Sequence, residues 1–260
     1  MIRICVPAFV VLILARAVAG AQPLVFNAET VGAPQSNASG ELFAPSGAGP
    51  FPAVVVLHGC NGVTPHYRNW ARHLAGWGYV ALLVDSFRPR NVTTVCNHGM
   101  MVPPQLQAED AFNAADYLRS RADVRAERIA VIGFSHGGWA VLKAVLAGLR
   151  PALTRPFVAA IAFYPGCDPP GSALETDTLI LIGEADEWTP VERCIRWRDL
   201  VQPNGHIVQL KSYPGALHGF DTALMPHAFA GHLVGRDPAA AADAVVETRA
   251  FLGAHLMPSR

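Results

Sequence analysis

Ile129-Ala130-Val131-Ile132-Gly133-Phe134-Ser135-His136-Gly137-Gly138-Trp139-Ala140-Val141-Leu142-Lys143-Ala144-Val145-Leu146-Ala147 reads as a short apolar strand, a tight turn and a helix. A buried strand that runs into a helix through Gly-x-Ser-x-Gly forces the serine onto a sharp turn and holds its hydroxyl above the sheet edge. Gly133 and Gly137 flank the point where strand and helix backbones pass closest, so a Cβ at either would collide. Ser135 is therefore the candidate nucleophile. The backbone N–H of His136 stands at the helix N-terminus, where unpaired amides and the dipole favour negative charge. A glycine-rich turn with a capping serine would explain the five residues alone, but the strand before and the helix after favour the elbow.

Working outward, the elements alternate as in a mostly parallel sheet covered by helices on both faces. Ala53-Val54-Val55-Val56-Leu57 is continuously apolar, which suits a strand buried on both sides, and it ends in His58-Gly59-Cys60-Asn61-Gly62. A helix over Tyr67 to Leu74 precedes the strand Tyr79 to Val84, and a helix over Gln105 to Ser120 precedes the elbow. Beyond it come strands over Val158 to Phe163 and Thr178 to Ile182, a helix over Val191 to Leu200, an edge strand over His206 to Ser212 and a closing helix from Ala239 to Leu256. Leu24 to Asn27 and Glu41 to Ala44 read as a leading antiparallel pair, with Gly32 to Gly40 and Met101 to Gln107 as loose connections. In open α/β sheets ligands gather at the carboxyl ends of the strands, where each of the polar motifs lies.

A serine hydroxyl needs a histidine to take its proton and a carboxylate to hold that histidine's tautomer. Asp186, just past a buried strand in Gly183-x-x-Asp186-x-x-x-Pro190, is the candidate acid, with Glu184, Glu187 and Asp168 as rivals. A helix cap or a turn is the alternative role for Asp186. His218, in Gly215-x-x-His218-Gly219-Phe220 after the last strand, is the candidate base. The loop after the first buried strand offers the backbone N–H of Cys60 as an oxyanion donor beside that of His136. Neither His-Glu-x-x-His nor paired Cys-x-x-Cys is present, so no metal is expected, and with no phosphate-cradling loop no cofactor is expected either.

Residues 1–21 carry a short basic start, an apolar run from Ile4 to Ala15 and the small residues Ala19-Gly20-Ala21, the pattern of a secretory signal peptide. Residues 22–260 then form one domain, secreted or periplasmic and with no membrane partner. Removing Arg3 and Arg16 with the signal leaves 18 basic against 20 acidic residues, a balance that offers nucleic acid no clustered basic surface. With 51% hydrophobic residues the chain can bury a full α/β core.

Gly133-x-Ser135-x-Gly137, Gly183-x-x-Asp186, His218-Gly219-Phe220 and His58-Gly59-Cys60-Asn61-Gly62 together resemble the dienelactone hydrolase family of the α/β-hydrolase superfamily, over about Phe51 to Leu256. The resemblance implies an α/β-hydrolase fold with about eight strands, a triad of Ser135, Asp186 and His218, and hydrolysis of a small-molecule ester or lactone without cofactor. This chain carries Ser135 where dienelactone hydrolase has a nucleophilic cysteine, and His58-Gly59 where it has an oxyanion-loop glutamate. The resemblance therefore implies the fold and acyl chemistry, but not dienelactone itself as substrate. The family's substrate-carboxylate arginine falls near Arg88 or Arg90, each of which also reads as a solvated loop arginine.

Four cysteines remain after the signal, and the order of strands in the resembled fold implies Cys60–Cys96 and Cys167–Cys194 disulfides at the sheet top. The expected enzyme is a secreted serine hydrolase acting through an acyl-enzyme. A peptidase or acyltransferase could use the same groups, and a non-catalytic secreted binding protein could share the fold.

Overall fold

The computed structural model describes residues 21–27 and 37–257. All but the last residue of the expected signal peptide, and most of the connection expected from Gly32 to Gly40, lie outside them. Among the described residues, ten strands and five α-helices follow in the order β1 (Gln22–Asn27), β2 (Asn37–Phe43), β3 (Phe51–Leu57), α1 (Pro65–Gly76), β4 (Val80–Asp85), α2 (Pro104–Arg119), β5 (Val124–Phe134), α3 (His136–Ala144), β6 (Ala160–Phe163), β7 (Thr178–Gly183), α4 (Val191–Leu200), β8 (Val208–Tyr213), β9 (His227–Phe229), β10 (His232–Val234) and α5 (Pro238–Leu256). Eight strands form one sheet in the order β1-β2-β4-β3-β5-β6-β7-β8. Only β1 and β2 run antiparallel to their neighbours; from β4 to β8 every pairing is parallel.

The continuous apolar runs explain this centre. Every residue of β4 and β7 is buried although successive side chains point to opposite faces, so helices must cover both faces. Val55 pairs with Leu82 on one side and Val131 on the other, placing β-branched and leucine side chains in register across the middle. The parallel crossovers bring the carboxyl ends of β3, β5, β7 and β8 to one edge, and the loops there carry the candidate site. No described helix is long and apolar enough to cross a membrane.

The differences from the sequence reading are local. Helix α3 stops at Ala144 rather than Ala147, because Leu146 leaves it to bridge Leu174. The connection expected over Met101 to Gln107 is already helical from Pro104, where a proline at the first helical position has no amide to lose. The β9–β10 hairpin carries too few residues for a periodic signal, and its strands are held to the site by a bridge between His218 and Val234.

Candidate active site

Ser135 sits between β5 and α3 with φ 53° and ψ −114°, a strained backbone for a residue with a Cβ. The glycines around it show what forces the turn. A Cβ on Gly133 would strike the carbonyl of Gly137, and one on Gly137 would lie 2.5 Å from the His58 carbonyl. The elbow thus packs against the end of β3 as well as on itself, and that contact brings the Cys60 loop to the serine.

His218 reaches this serine from the loop after β8, with Nε2 2.9 Å from Ser135 Oγ. Its Nδ1 lies 2.7 Å from Asp186 Oδ2, and both residues are buried. The Asp186 carboxylate is itself fixed: Oδ1 accepts from the amides of Trp188 and Thr189 at 2.9 and 2.8 Å, and Oδ2 accepts from the Thr189 hydroxyl at 2.7 Å. Oδ1 thus takes the backbone amides of the turn, while Oδ2 faces His218 and is steadied by the Thr189 hydroxyl. Among the rivals, Asp168 instead pairs with Lys143 and accepts from Trp139 Nε1, Glu184 accepts from Ser212, and Glu187 is exposed.

The backbone N–H groups of Cys60 and His136 make no backbone hydrogen bond among the described residues. Cys60 is joined to Cys96 with Cα atoms 4.8 Å apart, and its carbonyl accepts from the amide of Val95 at 2.8 Å. Cys167 is joined to Cys194, Cα atoms 5.0 Å apart, bracing the segment after β6 against α4 behind Asp186.

A buried polar lattice lies behind the Cys60 loop. His58 Nδ1 faces the Gly59 carbonyl at 2.8 Å and its Nε2 accepts from the Ser86 amide at 3.2 Å. Burial pushes this imidazole down to about 4, with the neighbouring carbonyl and Asp85 opposing, so it stands neutral with its proton on Nδ1. Gln107 donates to the His58 carbonyl at 3.0 Å and turns its own oxygen to His136 Nδ1 at 2.8 Å. Burial also lowers the His136 imidazole, whose Nε2 faces the Gly99 carbonyl at 3.1 Å. A neutral ring carries a single proton and so donates to only one of these two oxygens.

Sequence reasoning missed Gln107, Thr189, Tyr164 and Trp188. Thr189 had a signal, an Asp followed three residues later by Thr before a helix. The aromatic pair had none: Tyr164 at φ 36° sets its ring against His218 at 4.7 Å, and Trp188 approaches the same imidazole at 4.8 Å while stacking on His232.

Two cavities open on Ser135. One of about 130 Å³ is walled by Tyr67, Tyr164, Trp188, His218, Leu224 and Phe229; the other, about 220 Å³, is walled by Cys60, Cys96, Cys167, Trp139, Asp168 and Arg193, among others. Neither Arg88 nor Arg90 lines either one. Arg88 is exposed, but Arg90 departs from the solvated reading: its guanidinium binds Asp110 through both nitrogens at 2.7 and 3.0 Å and the Ser86 carbonyl at 2.7 Å. Among the described residues, no group of three His, Cys, Asp or Glu side chains is placed to hold a metal ion.

The dienelactone hydrolase family model matches residues 39–256 of the chain. A protein of Bradyrhizobium sp named as a probable 2-oxo-3-(5-oxofuran-2-ylidene)propanoate lactonase is 27% identical over 193 residues, covering 69% of this chain and 77% of its own. Among solved structures, a dienelactone hydrolase-like promiscuous phosphotriesterase from metagenomic libraries superposes with TM-score 0.71 at 22% identity over 91% of this chain and 99% of that one. An esterase from the Planctomycetes species Thermogutta terrifontis, with propionate bound, superposes with TM-score 0.66 at 20% identity over 93% and 97%. At these identities the structural likeness shows the fold.

Proposed function

The chain belongs to the dienelactone hydrolase family and is a carboxylic ester hydrolase, and from that premise we propose that it works as a serine hydrolase through an acyl-enzyme. The observation that carries this reading is the unbroken chain from Ser135 Oγ to His218 Nε2 at 2.9 Å and from His218 Nδ1 to Asp186 Oδ2 at 2.7 Å. Ser135 Oγ attacks the carbonyl carbon of an ester or lactone while His218 Nε2 takes its proton. The amides of Cys60 and His136 receive the oxyanion, and Asp186 stabilises the imidazolium without taking its proton. His218 then protonates the departing alcohol oxygen, and water, activated by the same imidazole, releases the acid.

The protein acts outside the cytoplasm in this reading. Residues 1–21 are a cleaved secretory leader and residues 22–260 a single domain, an assignment supported by two disulfides, which persist in oxidising compartments. Strand β1 begins at Gln22, so cleavage after residue 21 leaves the sheet whole.

Turnover of p-nitrophenyl acetate, followed by labelling with a fluorophosphonate and peptide mapping, tests the assignment. The expected result is hydrolysis that stops as the reagent attaches to Ser135. An adduct on another residue with activity lost, or no turnover by the pure protein, would overturn it.

A further inference from the structure

Beside the cavity that holds Ser135 and His218 lies a larger one of about 590 Å³, and Asn61, Tyr67, Thr222 and Leu224 line both. In the proposed mechanism the leaving oxygen takes its proton from His218 Nε2, so the alcohol portion of a substrate lies on the side that His218 walls. That side is the 130 Å³ cavity, since His218 does not line the 220 Å³ one. The acyl portion then turns toward the disulfides, and the alcohol portion runs past Leu224 into the larger space.

The polar groups of that space are arranged unevenly. Asn61 Oδ1 is occupied by the Tyr67 hydroxyl at 3.0 Å, and Asn69 Oδ1 by the Arg72 guanidinium at 2.8 Å. Each amide so oriented presents its NH2 group as donor. Arg236 is exposed at the mouth, and its guanidinium has no partner among the described residues. The carboxylate of Asp221 is almost fully buried and already accepts from Trp70 Nε1 at 2.8 Å and the Tyr164 hydroxyl at 2.7 Å, with His66 Nε2 3.3 Å away. Pro65, Ala241 and Val245 make apolar walls. Unpaired donors beside apolar walls suit a carbon chain that ends in an acceptor oxygen.

We propose that the larger cavity is the alcohol-side subsite and takes an alcohol portion several carbons long bearing a carbonyl or carboxylate oxygen, held by Arg236 and the Asn61 and Asn69 amides; this rests on the esterase reading above. Four acetates test it: p-nitrophenyl acetate, butyl acetate, ω-acetoxyhexanoate and its methyl ester. The wild-type protein is expected to favour both acetoxyhexanoates over butyl acetate by roughly tenfold in kcat/KM, the scale of one hydrogen bond to a charged group. Ala241→Trp, which fills the cavity from α5, should remove most of that preference, bringing the acetoxyhexanoates down toward butyl acetate. Arg236→Ala, at an exposed position, should raise KM for the acetoxyhexanoates with kcat little changed. A larger rise for the carboxylate identifies an anionic terminus as the natural feature, and equal rises identify a carbonyl.

Equal wild-type rates on butyl acetate and the acetoxyhexanoates, or a plugged variant that loses all four substrates alike, would overturn the subsite. Absence of wild-type turnover on p-nitrophenyl acetate would instead sink the esterase reading on which it rests.

Discussion

Single atoms decide most at the elbow. Ser135 is held at positive φ because Gly133 and Gly137 let three backbone segments meet, so the serine has no second route to the same position. Ser135→Ala removes one oxygen and should lower kcat by roughly 10⁶-fold with an unchanged circular dichroism spectrum, as for loss of a nucleophilic serine in a triad elsewhere. Gly133→Ala adds one carbon against the Gly137 carbonyl and should cost about 3 kcal/mol or more, read as lost soluble yield or a lower urea midpoint. His58 sets an acid limit on stability. Its imidazole, lowered from 6.5 to about 4 by burial, refuses in the folded state a proton that the unfolded chain accepts. The unfolded chain thus binds more protons between those values, and stability rises with pH across that window. The contribution is complete above about pH 6.5 and is lost as the pH falls toward 4, at about 3 kcal/mol for a shift of this size. His136, lowered by the same cause, adds in the same direction. Urea unfolding at pH 7, 5.5 and 4 checks this, and in His58→Gln the slope should flatten; an equal slope would place the acid sensitivity elsewhere. The candidate triad residues were legible because each sits in a motif at a strand end. Gln107 was not, since a glutamine inside a helix carries no mark of the His58 and His136 side it will face.

Between elements, the two disulfides do different work. Cys60–Cys96 closes 36 residues and Cys167–Cys194 closes 27, each worth about 3–4 kcal/mol in the chain-entropy model. The first ties down the loop that carries the Cys60 amide, while the second ties α4 to the segment after β6. If the Cys60 amide is the proposed oxyanion donor, replacing Cys60 and Cys96 together by Ser should lower kcat by roughly tenfold or more, because a displaced donor forfeits part of its roughly 3–4 kcal/mol. Replacing Cys167 and Cys194 should act mainly on stability, lowering Tm by roughly 5–15 °C with kcat/KM less affected. Comparable kcat losses in both pairs would show that the Cys60 loop is not specially dependent on its bridge. Limited reduction and alkylation should label Cys60 and Cys96 first, since Cys96 is partly exposed and Cys194 fully buried. The hairpin β9–β10 belongs to the same scale. It places Phe229 and Val234 in the wall of the 130 Å³ cavity, and the Gly235 amide directly after it donates to the His218 carbonyl at 3.0 Å, yet three-residue strands leave no pattern to read.

Over the whole molecule, a parallel sheet turns distant motifs into neighbours at its carboxyl edge. Serine and histidine are 83 residues apart in the chain and 2.9 Å apart in space. The proposed leader makes one prediction here: N-terminal sequencing of the exported protein should begin at Gln22, and a chain that keeps Met1 would refute the assignment. The apolar runs of β3, β4, β5 and β7 determined by themselves that the sheet is buried and parallel, because a strand covered on both faces cannot alternate. The motif spacing likewise determined which serine stands on an elbow, because Gly-x-Ser-x-Gly between a strand and a helix satisfies a local steric demand. Tertiary structure alone decided what surrounds that serine: the lattice of His58, Gln107 and His136, the aromatic walls from Tyr164 and Trp188, and the donor-lined space between α1 and α5. Those groups come from separate elements and meet only through packing, and no local periodicity or steric rule records which side chains will face one another across a gap.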